Sequence, residues 1–290
     1  MEWRGRRGSG NIEDRRSAGS SGRRIGGAVT GAGGIGLLAV VVIGAFFGVD
    51  LTALLDGGGS VDSGSSRPPV ELTAQDKAMG EFVSVTLADT EEIWTRVFRE
   101  QLNETYQPAV LVLYKGVTAS PCGSASGATG PFYCPNDKKV YLDTDFFVTM
   151  EQQLGAKGDF ASAYVVAHEI GHHVQDELGI LAQSSDMRGQ VSETESNAIS
   201  VRIELQADCL AGIWARQAEA QFGSIEPGDL EEAVNAARQI GDDTLQRNAG
   251  QRPMPHTFTH GTSAQRSRWF SIGQKSGQMS ACDTFAAKTL

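Results

Sequence analysis

The sequence predicts an α+β chain, mostly helical with a small sheet and preceded by a single transmembrane helix. Three observations carry that expectation. The 25 residues "IGGAVTGAGGIGLLAVVVIGAFFGV" (25–49) contain no charged side chain. Two short apolar runs, "AVLVLY" (109–114) and "KKVYLD" (138–143), read as strands bounded by turn residues. Most of the remainder has helical periodicity.

In chain order, residues 1–24 hold seven arginines against three acids and many Gly and Ser, the composition of a disordered tail. As a helix, the uncharged stretch at 25–49 extends roughly 37 Å, enough to cross a hydrocarbon core of about 30 Å. The arginines before it predict a cytoplasmic N-terminus and an extracytoplasmic C-terminal domain, with the helix as the cell-membrane anchor. Residues 50–69, ending in "DGGGSVDSGSSRPP", form a flexible linker. The folded domain spans 70–290. Within it, helices are expected over 91–102, 144–154, 160–178, 195–222, 227–240 and 263–274. The polar, Ser-rich segment 180–195 is a candidate lid.

A formal net charge of −10 argues against a nucleic-acid partner, because phosphate backbones attract the opposite sign. The four cysteines lack the CxxC pairs of a thiolate zinc site, and their even count fits two disulfides in an oxidising compartment. The preferred pairing is Cys122–Cys134, closing a short turn-rich loop, with Cys209–Cys282 tying down the C-terminus.

The stretch "YVVAHEIGHHVQDELG" (164–179) contains His168, Glu169 and His172 in an HExxH spacing. On a helix, positions i and i+4 share a face, so both imidazoles can reach one ion while Glu169 acts on a water without binding the metal. Catalytic zinc takes three protein ligands and keeps one position open. A third clustered histidine is absent, since Gln175 and Leu178 stand where HExxHxxGxxH needs Gly and His. The better source is "RIELQADCLAGIWA" (202–215), where Glu204 and Asp208 share a face: Glu204 as ligand, Asp208 accepting the free N–H of a ligating histidine. Glu195, Asp208 itself and His256 are alternative ligands. His173, about 100° round the helix from His172, is expected to be structural. "MPHTFTHGTSAQRSRWF" (254–270) offers His256, His260 and Arg266 as donors to an oxyanion, with Thr262 or Ser263 as a helix cap and Asp159 as cap of the HExxH helix.

These stretches, with "GPFYCPNDKKVYLD" and the N-terminal "MEWRGRRGSGNIEDRR", resemble the bacterial family of neutral zinc metallopeptidases over nearly the whole chain. The resemblance implies a gluzincin-like zincin with His168, His172 and Glu204 around one Zn2+ per chain and Asp208 behind a histidine. The C-terminal His…Arg pair is similar to that of membrane-embedded CAAX-type and heat-shock zinc proteases, which implies active-site roles for His260 and Arg266. The expected function is a membrane-anchored extracytoplasmic endopeptidase acting on a peptide or protein substrate, which pairs along the 138–143 strand. A non-catalytic membrane-tethered zinc-binding module, or a cell-wall peptide amidase, would use the same ligands.

Overall fold

The computed structural model describes residues 1–17, 71–126 and 130–290. The expected membrane segment 25–49 and linker 50–69 lie outside the described residues. Among the described residues, no helix is long and apolar enough to cross a membrane.

The chain opens with a strand, β1 (Ile12–Asp14), and continues after the undescribed stretch with α1 (Ala74–Val97), which ends in a π-helical turn at Phe98–Leu102. The expected helix at 91–102 is therefore only the last part of a longer one, whose start is set by a capping box between Thr73 and Asp76. Strands β2 (Val110–Tyr114), β3 (Val117–Ser120), β4 (Gly123–Ser126), β5 (Phe132–Cys134) and β6 (Lys139–Asp143) follow. The C-terminal half is helical: α2 (Thr144–Gln153), α3 (Asp159–Glu177), α4 (Ile180–Arg188), α5 (Glu193–Phe222), α6 (Asp229–Gln239), α7 (Asp242–Asn248) and α8 (Ser263–Ser276). The α+β expectation holds. Segment 180–195, the candidate lid, comprises α4 and the start of α5.

The main sheet has the order β1-β2-β6-β5; β1, β2 and β6 run parallel and β5 runs antiparallel to β6. Strands β3 and β4 form a separate hairpin. Side chains alternate across β2 and β6. Leu111, Leu113, Val140 and Leu142 enter the large helical core, while Val112, Tyr114 and Tyr141 pack on the other face with Cys134. Burial on both faces explains the unbroken apolar run that marks β2 in the sequence. Both expected disulfides, Cys122–Cys134 and Cys209–Cys282, are formed.

Two expectations need correction here. Strand β6 is paired on both sides, so its backbone has no edge to offer a substrate; β5 is the edge strand nearest α3. The N-terminal segment is also ordered as far as it is described. Met1 and Trp3 are buried, and β1 pairs in register with β2 from Ile12↔Leu111 to Asp14↔Leu113. Two of the arginines that suggested a free tail are matched to acids of the domain. Arg6 forms a fork with Asp89 at 2.7 Å for each bond, and Arg7 meets Glu92 at 2.6 Å. The Met1 amino group lies among Asp159, Glu226 and Asp229 at 2.6–3.1 Å. Burial opposes its charge, but hydrogen bonds to those acids outweigh the penalty and raise its pKa to about 10. Asp159 thus holds Met1 and the Trp3 indole (3.2 Å) rather than capping α3, whose N-cap is Gly158 at φ +100°.

Candidate metal centre

The site is built where α3 and α5 touch. Their closest approach is at Gly171, where an added Cβ would lie 3.1 Å from the Ala207 carbonyl oxygen. That contact sets His168 and His172 on α3 against Glu204 and Asp208 on α5. A second crossing, between α5 and α8, is closer still: a Cβ at Gly273 would lie 1.8 Å from the Cys209 carbonyl oxygen, and one at Gly212 2.1 Å from that of Phe270. This second contact delivers Arg266 to Asp208.

Both histidines present the same nitrogen. His168 Nδ1–H donates to Asp208 Oδ1 at 2.9 Å, and His172 Nδ1–H donates to Gln175 Oε1 at 2.8 Å. Gln175 in turn uses its amide N–H groups on Ile203 O (2.8 Å) and Gln206 Oε1 (3.0 Å), which fixes its oxygen toward the ring. Each Nε2 is thereby left to face Glu204: His168 Nε2 is 3.2 Å from Oε2, and His172 Nε2 is 3.6 Å from Oε1. His168, His172 and Glu204 form a group whose donor atoms all lie within 4.8 Å of one another. Donors about 2.0–2.1 Å from a tetrahedral zinc stand about 3.3 Å apart. The donor set, two imidazoles and a carboxylate, fits a three-ligand zinc site with one open position.

Asp208 is fully buried and satisfied on all sides. Besides His168 it accepts from Tyr164 Oη, from Arg266 Nε at 2.8 Å and from Arg266 Nη2 at 3.0 Å. Burial would raise its pKa; the charge of Arg266 and the His168 hydrogen bond outweigh that and hold it ionised. Burial likewise opposes ionisation of Glu204, but His172, His260 and His168 hold its carboxyl well below the usual range. Glu169, buried beside them, is pushed up by desolvation, against the pull of both imidazoles. The paired acids are thus separated: Glu204 and Asp208 stay charged while Glu169 has raised proton affinity.

Of the expected site residues, His168, Glu169, His172, Glu204 and Asp208 come together. Arg266 is a correction. It is buried behind Asp208 and Tyr164, so it positions the histidine's partner instead of facing an oxyanion. His260 lies within electrostatic reach of Glu204, which raises its pKa against burial; its backbone N–H donates to Asp242 Oδ2 at 2.7 Å, and its Nδ1 is 3.3 Å from Asp242 Oδ1. Thr262 caps α8 as expected, in a capping box with Gln265. The alternative ligands Glu195 and His256 lie outside the cluster. Glu195 closes the capping box of α5 with Ser192, and His256 is exposed, its carbonyl held by Asn197 at 3.0 Å. His173 faces the sheet, with Nε2 2.6 Å from Gln107 O and Nδ1 3.1 Å from Tyr133 Oη. Tyr164, Gln175 and Asp242 escape the sequence reading. Tyr164 sits one turn before His168 and Gln175 three residues after His172, but the partners that give them their roles, Asp208 and Arg266 for the first and Ile203 and Gln206 for the second, lie on other helices.

The family described as "Putative neutral zinc metallopeptidase" matches residues 1–285. This chain belongs to that family. Among its members, the uncharacterized protein YpfJ of Escherichia coli (strain K12) is 46% identical over 289 residues, covering 98% of this chain and 99% of its own. The uncharacterized protein Rv2575 of Mycobacterium tuberculosis (strain ATCC 25618 / H37Rv) is 44% identical over 188 residues, 61% of this chain and 62% of its own. No solved structure matches. In a member of this family, the convergence of two Nε2 atoms and one carboxylate is a candidate ligand group for the zinc that the family description names.

Proposed function

We propose that the chain is a zinc-dependent endopeptidase with one Zn2+ per chain, held by His168, His172 and Glu204. The single observation that carries this reading is the matched orientation of the two imidazoles. Asp208 and Gln175 each hold an Nδ1–H, so that both Nε2 atoms point at one carboxylate. Zinc there would supply Lewis acidity toward a water and the substrate carbonyl.

The chain's own residues do the rest. Glu169 sits beside the ligands without joining them, and its raised proton affinity suits it to take the attacking water's proton and hand it to the leaving amine. His260, braced by Asp242, is the candidate donor to the developing oxyanion. Arg266 and Tyr164 keep Asp208 ionised and in place. An extended peptide finds its backbone partner along β5, whose side away from β6 is unpaired among the described strands.

A structural zinc module would need a fourth protein ligand. Of its two candidates, the His173 ring is held by Gln107 and Tyr133, while His256 is exposed on a short turn and bonded through its backbone carbonyl alone. A cell-wall peptide amidase shares every ligand and is separated by substrate alone. Two disulfides support an oxidising, extracytoplasmic location for the folded body. Any membrane attachment through residues 25–49 then has to leave residues 1–17 on the same side as residues 71–290, because β1 belongs to the sheet.

The test is Glu169→Gln. Turnover of a mixed peptide library by the zinc-loaded chain should fall about 10²–10⁴-fold, with bound zinc retained by mass spectrometry and wild-type cleavage abolished by chelator. Full activity of the variant would remove Glu169 from its role. Cleavage restricted to peptides containing D-amino acids would favour the amidase.

A further inference from the structure

One cation beside this site has no counter-ion. Arg188 ends α4, is partly exposed, and donates through Nη1 to Ser200 Oγ at 3.2 Å. Its Nε is buried and has no partner; among the described residues it is the one cationic donor atom in that condition. This is unusual in a chain with 35 acids to 25 lysines and arginines, where Arg6, Arg16 and Arg266 have each found a carboxylate. Leaving a buried donor of a charged group unpaired is costly, and the cost is offset when a ligand brings an acceptor.

Position says which ligand. Ser200 and Glu204 stand four residues apart on α5, on one face and about 6 Å apart along the axis. A guanidinium anchored on Ser200 therefore sits roughly one helical turn from the metal-binding carboxylate, toward the start of α5. Burial lowers the pKa of the Arg188 guanidinium, and Glu204 is the one charge that opposes the shift, which agrees with that proximity. An extended peptide rises about 3.3 Å per residue, so a group one turn from the scissile carbonyl belongs to the next residue or the one after. A planar fork of donors prefers a carboxylate, which it can grip at two points.

Resting on the peptidase reading above, we propose that Arg188 is a specificity-determining residue: it binds a substrate carboxylate within about two residues of the scissile bond. That carboxylate can be an Asp or Glu side chain or the peptide's own C-terminus. The proposal makes the site selective for acidic or C-terminal peptide segments, and Ser200 the residue that aims the guanidinium.

The experiment uses the zinc-loaded full chain, as wild type, Arg188→Gln and Arg188→Lys, with zinc content and melting temperature measured for each. Matched peptides carry Glu or Gln at successive positions beside the cleaved bond with an amidated C-terminus; a second set compares free with amidated C-termini. Wild type should prefer the carboxylate-bearing member by about tenfold or more in kcat/KM, mainly through KM. In Arg188→Gln the ratio should fall to about 1 at unchanged zinc content, with partial recovery in Arg188→Lys. Preference confined to the first set identifies a side chain, and to the second a C-terminus. A wild type with no carboxylate preference, or a preference that survives Arg188→Gln, overturns the proposal.

A parallel binding series on Glu169→Gln reads Arg188 without turnover. There Arg188→Gln should weaken the acidic peptide about tenfold relative to its neutral partner, and equal affinities overturn the proposal. Absence of all cleavage alongside intact, Arg188-dependent binding would count against the peptidase reading alone.

Discussion

His168 is held by two acids at once, Asp208 at Nδ1 and Glu204 at Nε2, and that double contact governs how the site takes up metal. Burial favours the neutral ring, but the hydrogen bonds to both carboxylates outweigh it and lift the imidazole's pKa to about 9. At neutral pH the metal-free ring therefore carries a proton that a metal has to displace. The sign follows: lowering the pH below about 9 strengthens the proton's competition, so zinc affinity falls as pH falls, about tenfold per pH unit for each proton released. Chelator-competition titrations at pH 6, 7 and 8, with proton release followed in dilute buffer, should show this slope; a flat affinity would contradict it. At this scale much was legible. HExxH spacing fixes which side chains share a helix face, and Glu204 and Asp208 repeat the same logic on a second helix. The amide behind His172 was not, because Gln175 gains its role only when α5 supplies Ile203 O and Gln206 to its donors.

Helix crossings decide whether those faces meet. Gly273 and Gly212 lie where α8 and α5 touch backbone to backbone, and the atoms that a Cβ would strike are main-chain oxygens that move only with their helix. Replacing Gly by Ala inside an exposed helix ordinarily stabilises it by up to about 1 kcal/mol. Gly273→Ala should do the opposite, costing about 1–3 kcal/mol through overpacking, and should weaken zinc binding as Arg266 is pushed from Asp208. Urea denaturation of the variant, with and without zinc, checks both parts; a neutral or stabilising result would mean the crossing is looser than described. Several helices were readable from local signals, and so was the cap at Thr262; α4, α7 and the first half of α1 were not, and Asp159 was misread as a cap. Strand order was not readable either. The alternating "KKVYLD" could as well have been an edge, and only pairing with β2 and β5 on its two sides makes β6 central.

Over the whole molecule, the N-terminal segment changes the arrangement most. An Arg-, Gly- and Ser-rich opening reads as solvated chain; Arg15 and Arg16 pair locally with Glu13 and Asp14, but Arg6, Arg7 and the Met1 amino group have no visible partners in the local sequence. The partners lie far away: Asp89 and Glu92 on α1, and Asp159 and Asp229 near the starts of α3 and α6. In cells, a membrane-impermeant amine reagent should therefore treat Arg7→Lys and the exposed Lys275 alike, labelling both or neither. Labelling of one without the other would show that β1 is not paired in the cellular protein.

By itself the sequence determined most of the helices and which residue types could serve as ligands, since these follow from spacing along one element or from residue type; for the cysteines it indicated a preference, and the fold supplies the pairing. Tertiary structure alone decided which strand is the edge, that Arg266 serves Asp208 and not the substrate, and that the N-terminus joins the sheet. Each of those depends on two distant segments meeting, and the free energy of such a contact is written in neither segment separately.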